Sequence, residues 1–394
     1  MVTFLMVLFG ASVGAVVYTY LVYPLLLYGW VTIGQGWADL RFILRLPDRR
    51  KRKPSLNFPR VSLVIAAHNE EKVIEDKLMN SLALDYPENK LEIIVASDGS
   101  TDRTNDLVRK FARHGVKLFD FPDRPGKIGA LTRAIERASG QVIVLSDANV
   151  MYKPDAVLNL VRHFADPTVG GVCGELKLIG NAESPPGEGM YWRYEVVLKR
   201  LESQIDSTLG ANGAIYAIRK ELFEPPPPYT VCDDFVIPMK IREKGYRIVY
   251  EPAAVALEEM APTMEKEFGR KMRIGAAAFQ AIFLTIGLLH PRQGFIAFAY
   301  FSHKILRWCV PFFLIIAFVT NLLLLRQGPL YAGLAGAQVV LYGSALLAHL
   351  MAKRRRIKWL NLPYYFAYMN LALLLGFFRF LRGQQKAAWE SGRS

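Results

Sequence analysis

The fold of this chain is decided by an apolar run of seven residues that ends directly in three polar ones, Val61-Ser62-Leu63-Val64-Ile65-Ala66-Ala67 followed by His68-Asn69-Glu70. A short apolar run of this kind is typical of a strand buried on both faces of a parallel sheet. Two later runs have the same character, Leu91–Ser97 and Gln141–Ser146. The stretches between the runs have helical character, among them Asp102–Arg113 and Lys127–Ser139. This alternation predicts an α/β fold built from βαβ units around a parallel sheet.

Apolar residues make up 52% of the 394 residues, and they concentrate towards the two ends of the chain. The uncharged stretch Phe4–Gly34 is longer than the roughly 20 residues that cross a bilayer. Beyond Gly275, three more stretches predict membrane spans: Cys309–Leu325, Pro329–Leu350 and Pro363–Leu381. The shorter Gly275–Leu289 is expected to lie in the membrane interface. We therefore predict an N-terminal transmembrane helix with its flank in 1–40, an α/β domain in 54–275, and an interfacial and transmembrane region in 276–394.

The formal net charge of +14 resides partly in two basic runs beside the predicted spans, Arg49–Lys53 and Lys353–Arg356 with Lys358. Basic residues that flank spans mark the cytoplasmic side and favour anionic headgroups. We interpret this charge as a membrane flank and not as a nucleic-acid site. The N-terminus is then expected outside and residues 54–275 in the cytoplasm. Three spans after a cytoplasmic domain would place the basic tail outside, against the usual distribution of basic residues. Either Gly275–Leu289 enters the membrane or the last segment is interfacial, so the side of the C-terminus stays open.

Polar residues follow all three predicted strands. They are His68-Asn69-Glu70 after the first, Asp98-Gly99-Ser100 after the second and Asp147-Ala148-Asn149 after the third. Ligands of open α/β sheets bind at the carboxyl ends of the strands, so these groups are expected on one shared rim. Oxygen-rich side chains there suit a nucleotide diphosphate together with a hard divalent cation.

Together with Gly126-Lys127 and Cys232-Asp233-Asp234, these ordered motifs resemble those of family 2 glycosyltransferases with a GT-A fold. The similarity is to the membrane-integrated group that includes cellulose, chitin and hyaluronan synthases, and it covers residues 58 to about 275. The resemblance implies a GT-A (Rossmann-like) catalytic domain with one N-terminal and about three C-terminal transmembrane helices plus interfacial helices. It also implies an inverting reaction on a nucleotide-sugar donor.

By the same resemblance, Ala67, His68 and Glu70 would line the nucleobase and ribose site, with uridine as the expected base. Asp98 would accept hydrogen bonds from the base. An alternative is that Asp98 caps the helix that opens just after it. Lys127 would approach the donor, although a lysine at a helix start is ordinarily a solvated charge.

The family's Asp-x-Asp metal motif corresponds to Asp147-Ala148-Asn149. The resemblance implies that Asp147 and Asn149 hold Mg²⁺ or Mn²⁺ beside the donor diphosphate, and oxygen ligands suit both ions. Asn149 stands where the motif has its second acid, so one ligand would be a neutral amide. The three cysteines are scattered and have no zinc-ligand spacing.

Cys232-Asp233-Asp234-Phe235 resembles the family's Thr-Glu-Asp motif. Inverting transfer needs one base that takes the proton of the acceptor hydroxyl. The resemblance assigns that role to Asp234 and a supporting role to Asp233. The alternative is that both carboxylates only complement the N-terminus of a helix predicted over Phe235–Lys244.

The most informative departure from the family is Arg270-Lys271-Met272-Arg273-Ile274, where polysaccharide synthases carry Gln-x-x-Arg-Trp. Arg273 keeps the family's arginine, and we expect Arg273 and Arg270 to bind the donor diphosphate. The tryptophan, which gives polymer synthases an acceptor platform, is replaced by Ile274. A long-chain processive synthase is therefore less expected than single or short additions.

Three residues are predicted to contact the acceptor: Asn212, Gly213 and Trp192. The first two lie where the family presents an acceptor loop, although that loop could equally be a turn before a strand over Ile215–Arg219. Trp192, with Tyr191 and Tyr194, offers a stacking surface for a sugar or merely packs a helix. His290 and His303 flank apolar segments and are expected at the membrane interface.

These features predict an integral membrane glycosyltransferase with a cytoplasmic catalytic domain. It would transfer a sugar from a nucleotide-sugar, with UDP expected, to a saccharide or lipid-linked acceptor in polysaccharide or glycolipid synthesis. One alternative is transfer to polyprenyl phosphate, and another is a catalytically silent subunit of a membrane assembly. A transporter ranks last, because the predicted spans carry no buried charges of the kind that transport sites use.

Overall fold

The computed structural model describes residues 1–43, 58–180, 188–260, 264–351 and 360–383. Both basic runs predicted as membrane flanks, 49–53 and 353–358, lie outside the described residues, as do Lys386 and Arg393 of the basic tail.

An eight-stranded mixed sheet forms the centre of the catalytic region. Its strands are β1 (Val61–Ala67), β2 (Leu91–Ser97), β3 (Lys117–Asp120), β4 (Val142–Asp147), β5 (Met151–Tyr152), β6 (Val169–Ile179), β7 (Tyr216–Arg219) and β8 (Arg247–Glu259). The spatial order is β3-β2-β1-β4-β7-β6-β8-β5. β1 is parallel to both β2 and β4, with Val61 opposite Leu91 on one side and Val142 on the other. The predicted parallel core is confirmed, and β7 extends it as an antiparallel strand beside β4.

Helices surround the sheet and form the membrane region. They are α1 (Val2–Val17), α2 (Tyr23–Ile43), α3 (Ile74–Leu82), α4 (Thr104–Lys110), α5 (Gly126–Arg137), α6 (Ala156–Val161), α7 (Glu188–Ile205), α8 (Asp233–Glu243), α9 (Met264–Leu284), α10 (Phe295–Ala299), α11 (Leu306–Leu323), α12 (Pro329–Met351) and α13 (Asn361–Leu381). The helix predicted over Phe235–Lys244 is α8, which begins two residues earlier, so the two adjacent aspartates occupy its first turn.

Both faces of the central strands are buried. Leu63, Ile65 and Val95 belong to one apolar core, while Val64 and Ile94 belong to the core on the opposite face. Burial on both faces explains why these strands lack polar alternation in the sequence. The carboxyl ends of the strands are left as the place where polar groups can gather.

Among the described residues, four helices are long and apolar enough to cross a membrane: Val2–Arg41, Phe295–Leu323, Pro329–Met351 and Asn361–Leu381. One N-terminal and three C-terminal helices agree with the sequence prediction. The span predicted over Cys309–Leu325 begins much earlier, because α10, a π-helical turn at Tyr300–Ile305 and α11 are continuous. Gly275–Leu284 is the second half of α9, which packs against α13 and is not one of the four.

The helix Phe295–Leu323 carries buried charges in the part that precedes the predicted span Cys309–Leu325. Lys304 Nζ lies 2.6 Å from Glu195 Oε1, and Arg307 binds the other oxygen of that carboxylate. His303 is 1% exposed, and its Nδ1 lies 2.6 Å from Glu202 Oε1. These side chains face α7 of the catalytic region, and the charges pair across this contact. The placement of His303 at the level of the membrane interface stays a prediction.

Candidate active site

β1, β2 and β4 bring their terminal polar residues to one edge of the sheet, as the sequence predicts. His68 Nδ1 lies 2.7 Å from the carbonyl oxygen of Asp98, and Asp98 Oδ1 accepts a hydrogen bond from Gly126 N at 2.9 Å. Lys127, in the first turn of α5, donates from Nζ to Asp147 Oδ1 at 2.9 Å. The motifs after the three strands and the start of α5 therefore form one continuous site.

Asp98 does not cap the helix that follows it. The amide of Thr104 donates instead to Asp102 Oδ1 at 3.0 Å, at the start of α4. Asp98 is almost fully buried and fixes the start of α5 through Gly126. A different residue, Asp102, thus makes the capping contact. The role of Asp98 in binding a base remains a prediction.

The turns at this edge have unusual backbone conformations that bring Arg124 into the site. Gly99 has a φ of +59°, and a Cβ there would lie 2.4 Å from Cγ of Arg124. Glycine is therefore required for Arg124 to cross the turn. An Nη2 nitrogen of Arg124 then lies 3.1 Å from His68 Nε2. Arg124 was missed in the sequence, where its only signal is the position just before Gly126-Lys127.

Ala67 and Glu70 frame the same edge through their backbones. Ala67 is fully buried at the end of β1, and its carbonyl accepts from the amide of Asp98 at 2.9 Å. The amide of Glu70 donates to Thr104 Oγ1 at 2.8 Å. The structure thus joins β1 to the β2 turn beside His68, where a nucleobase and ribose are predicted to bind.

Lys127 joins the strand-end aspartate to the acidic pair of α8. Its Nζ lies 2.9 Å from Asp147 Oδ1 and 3.6 Å from Asp233 Oδ2. Burial alone lowers the pKa of Lys127, but Asp147 and Asp233 outweigh burial and raise its pKa above the ordinary value. Lys127 is therefore charged at neutral pH and is not a solvated side chain.

Asp234 lies in the first turn of α8 against a loop formed by residues 210–213. Gly213 N donates to Asp234 Oδ2 at 3.1 Å, and Ala211 N donates to the Asp234 carbonyl oxygen at 2.8 Å. Burial first and the neighbouring Asp233 second raise the pKa of Asp234 to about 6. A carboxyl group with such a pKa is suited to accept a proton near neutral pH.

The side chains at the Asp-x-Asn motif fit a divalent cation. Asp147 is 29% exposed at the end of β4, and Asn149 donates from Nδ2 to Glu258 Oε1 at 3.0 Å. That hydrogen bond leaves the Asn149 amide oxygen as a neutral ligand of the kind that Mg²⁺ and Mn²⁺ accept. Within the described part of the chain, no cluster of three or more His, Cys, Asp or Glu side chains could hold a metal by itself. A cation here would need donor or water oxygens to complete its shell.

The loop after Asn149 rests on a buried lysine that the sequence did not single out. Lys77 is fully buried in α3, and its Nζ donates to the carbonyl oxygen of Val150 at 2.6 Å. Burial lowers the pKa of Lys77 to about 7, partly opposed by Asp147. Asn80, one turn further along α3, exchanges two hydrogen bonds with the backbone of Tyr152. The position of Lys77 on the apolar face of α3, between Ile74 and Leu78, is the only feature of the sequence that could have indicated its burial.

The residues predicted for the acceptor have contacts within the protein. Asn212 is buried, with Nδ2 donating to Gly174 O at 2.7 Å and Oδ1 accepting from Lys199. Trp192 Nε1 donates to Leu176 O at 2.7 Å, which anchors α7 to β6. Gly213 alone of the three faces the Asp234 carboxylate directly. Contact with an acceptor remains a prediction for all three residues.

The two arginines of α9 differ in their surroundings. Arg270 holds the buried carboxylate of Glu267 with two nitrogens, at 2.7 and 3.1 Å. Arg273 is exposed and close enough to Cys232 to oppose the rise in that thiol's pKa, which burial and Asp234 cause. Arg273 is therefore near Cys232, the residue before the acidic pair, whereas the Arg270 guanidinium is already engaged. Diphosphate binding by either residue remains a prediction.

Residues 62–224 match the model of a protein family described as Glycosyl transferase family 2. This chain carries a family 2 glycosyltransferase domain. The matched segment contains the three strand-end motifs, Lys127 and the loop at 210–213. The two aspartates of α8 follow just beyond it.

This chain is also similar to individual curated proteins. It is 30% identical over 215 residues to the poly-β-1,6-N-acetyl-D-glucosamine synthase of Staphylococcus aureus strain COL, covering 52% of each chain. The same-named enzyme of Staphylococcus epidermidis is 28% identical over 203 residues, or 50% of this chain and 48% of that one. The chain thus spans about half the length of these curated relatives.

A solved structure resembles this chain over nearly its whole length. It is a mannosyltransferase from Pyrobaculum calidifontis in complex with GDP-Man and Mn²⁺, with a TM-score of 0.68 and 25% identity. The match covers 97% of this chain and 99% of the other. The GT-A fold predicted from the sequence is confirmed.

Proposed function

We propose that this protein is an inverting, membrane-integrated glycosyltransferase that moves a sugar from a nucleotide-sugar to a saccharide or lipid-linked acceptor. The catalytic domain would lie on the cytoplasmic face of the membrane, where nucleotide-sugars are made. The observation that carries this proposal is the placement of Asp234. Its carboxyl, with a pKa raised to about 6, lies beside Asp233 and in the same charged cluster as Lys127 and Asp147.

Each group has a role that its surroundings allow. Asp234 accepts the proton of the acceptor hydroxyl as that oxygen attacks the anomeric carbon, and the bond to the diphosphate breaks with inversion. Asp233 stays beside Lys127 and maintains the raised proton affinity of Asp234. The charged Lys127 complements the negative charge that develops on the departing diphosphate.

Asp147 and Asn149 are the residues that would hold Mg²⁺ or Mn²⁺, through one carboxylate and one amide oxygen. When bound, the cation supplies Lewis-acid stabilisation of the diphosphate leaving group. Lys127, which contacts Asp147, would complement the charge of the same diphosphate.

The donor is proposed to be a nucleotide-sugar, with a UDP-sugar as the first candidate. The curated relatives are N-acetylglucosamine polymer synthases, which favours an N-acetylglucosamine donor and polysaccharide synthesis. The structural relative, which covers the whole chain, was solved with GDP-Man and favours a mannosyl donor. His68, held flat by the Asp98 carbonyl and Arg124, can stack on either base.

A catalytically silent membrane subunit is less well supported. Such a protein has no need to maintain a half-buried lysine close to three carboxylates, because that arrangement is costly without a function. Transfer to polyprenyl phosphate remains compatible with the same residues, since it changes only the acceptor.

The test is nucleotide release and sugar transfer by purified protein, with UDP-N-acetylglucosamine, UDP-glucose and GDP-mannose, each with Mg²⁺ or Mn²⁺. Asp234→Asn is the diagnostic variant, because it preserves shape and removes the base. We expect transfer from one donor, lost by about 10²- to 10⁴-fold in the variant, with donor binding kept. Asp106→Asn, at an exposed position of α4, is the matched control. Donor binding without turnover in the wild type, across lipid-phosphate and saccharide acceptors, would support the silent subunit.

A further inference from the structure

Helix α7 presents three charged residues on one side, at spacings of four and three: Glu195, Lys199 and Glu202. Side chains at such spacings lie on the same helix face. The two glutamates contact His303, Lys304 and Arg307 of the membrane helix. Lys199, between them in sequence, reaches in another direction, towards the loop at 210–213.

Lys199 is a buried cation whose contacts are with neutral groups. It is 5% exposed, and its Nζ donates to Asn212 Oδ1 and, at 3.3 Å, to the carbonyl oxygen of Ala211. Among the described residues, no carboxylate lies within ion-pairing distance of this nitrogen. A buried charge without a counter-charge is costly, so its presence calls for a functional reason.

The loop that Lys199 holds is the loop that fixes Asp234. Ala211 donates its amide to the Asp234 carbonyl oxygen, and Gly213 donates its amide to Asp234 Oδ2 at 3.1 Å. Asn212, between them, is held by Lys199 on one side and by Gly174 O on the other. Lys199 is therefore one loop away from the proposed base, and it holds that loop through the Asn212 side chain and the Ala211 carbonyl.

We propose that Lys199 is a positioning residue for the Asp234 carboxylate, acting through the loop at 210–213 and through its own charge. The inference rests on the proposed function, since it takes Asp234 as the base. Lys199 keeps the amides of Ala211 and Gly213 aimed at Asp234. Its charge favours the ionised carboxylate, against burial and the repulsion of Asp233.

Charged and titratable groups from several elements act on Asp234. Lys127 and Lys199 favour its ionised form, whereas Asp233 and Asp147 oppose it. Two buried neutral groups also lie in the field of this carboxylate: the Tyr216 hydroxyl of β7 and the Cys232 thiol. Lys199 is the cation of this set that does not contact Asp147 or Asp233, so changing it leaves the Lys127 ion pairs intact.

The test compares Lys199→Met and Lys199→Arg with wild type in sugar transfer across pH 5 to 9. We expect Lys199→Met to lower kcat about tenfold or more at neutral pH, with the KM for the donor unchanged. The acidic limb of its pH–rate profile should move to higher pH by about half a unit or more. Lys199→Arg should keep most of the wild-type kcat and return the acidic limb close to its wild-type pH. Lys110→Met, at an exposed position of α4, is the control for the loss of a lysine.

A uniform loss of rate with an unmoved acidic limb would overturn the inference and leave Lys199 a packing residue. Lys199→Gln, smaller and polar, repeats the test if the methionine variant does not fold. If no neutral variant folds while Lys199→Arg does, its charge is needed for folding and the inference is also overturned. Failure of the proposed function is distinguished by Asp234→Asn: if that variant keeps full transfer, the base assignment itself is wrong.

Discussion

The side-chain amide of Asn149 donates from Nδ2 to Oε1 of Glu258 at 3.0 Å. Asn149, which replaces the second acid of the family's metal motif, is thereby linked to an acid from β8, a strand that comes much later in the chain. The hydrogen bond fixes the direction of the amide, so that its oxygen is the atom left for a cation. Glu258 also supplies negative charge close to the position where Asn149 lacks it.

Replacing Asn149 by aspartate is expected to strengthen cation binding and to lower the stability of the metal-free protein. The new carboxylate is a better ligand for Mn²⁺, which should tighten binding by about tenfold. Without metal, the variant loses the hydrogen bond and faces Glu258 with a like charge. Titration calorimetry with Mn²⁺ and thermal unfolding with and without Mn²⁺ measure the two effects.

A matched control is Asn159→Asp. Asn159 also donates to an acid, Asp155 Oδ2 at 2.9 Å, but lies on α6 away from the motif. It should destabilise the protein without any gain in Mn²⁺ affinity. If Asn149→Asp behaves in the same way, Asn149 is not a metal ligand.

The rate of transfer is expected to fall in acid as Asp234 becomes protonated. A base acts only when ionised, and the pKa of Asp234 is raised to about 6 by burial and by Asp233. Below pH 6 the rate should therefore fall about tenfold per pH unit, and above pH 7 this group should impose no further change. A pH–rate profile at saturating donor measures this. An acidic limb near pH 4, the ordinary range for aspartate, would remove Asp234 from the role of base.

Much of this arrangement could be predicted from the sequence, for a physical reason. Parallel strands that are buried on both faces have a strong local signature, and their polar ends must meet at one edge. The sequence therefore predicts His68, Asp98 and Asp147 at that edge, and the structure has them there. Their chemical roles came from the family resemblance and still await experiment.

Contacts between distant segments were not predictable in this way. Lys77, Lys199 and Glu258 reach the site from α3, α7 and β8, and no motif in the sequence marks them as site residues. Likewise no local pattern shows that Glu202 covers His303. Tertiary pairing, rather than local pattern, decides the position of such residues.

The contact between α7 and the membrane helix should depend strongly on Glu195. This buried carboxylate binds both Lys304 and Arg307. Burial alone would raise its pKa, but Arg307 and Lys304 outweigh that effect and hold the pKa well below its ordinary value. Glu195→Gln leaves two buried cations without their partner, which costs about 3–5 kcal/mol for a broken buried pair.

Thermal unfolding of the detergent-solubilised protein measures this loss. Asp106→Asn removes an exposed pair with Arg109, at 2.7 Å, and should change stability by about 0–1 kcal/mol. Equal effects of the two substitutions would show that the buried cluster does not hold α7 to the membrane region.

A methyl group at Gly213 should impair the chemical step while leaving donor binding intact. A Cβ there would lie 3.3 Å from Asp234 Oδ2, which is tight enough to displace the carboxylate by a few tenths of an ångström. Because a small displacement of a base is costly, we expect Gly213→Ala to lower kcat about tenfold to 10²-fold, with little change in donor KM. Steady-state kinetics with donor and acceptor varied separately measure both. Gly333→Ala, in α12 with open space around its Cβ, is the control and should keep full activity. A rise in donor KM at constant kcat would instead place Gly213 against the donor.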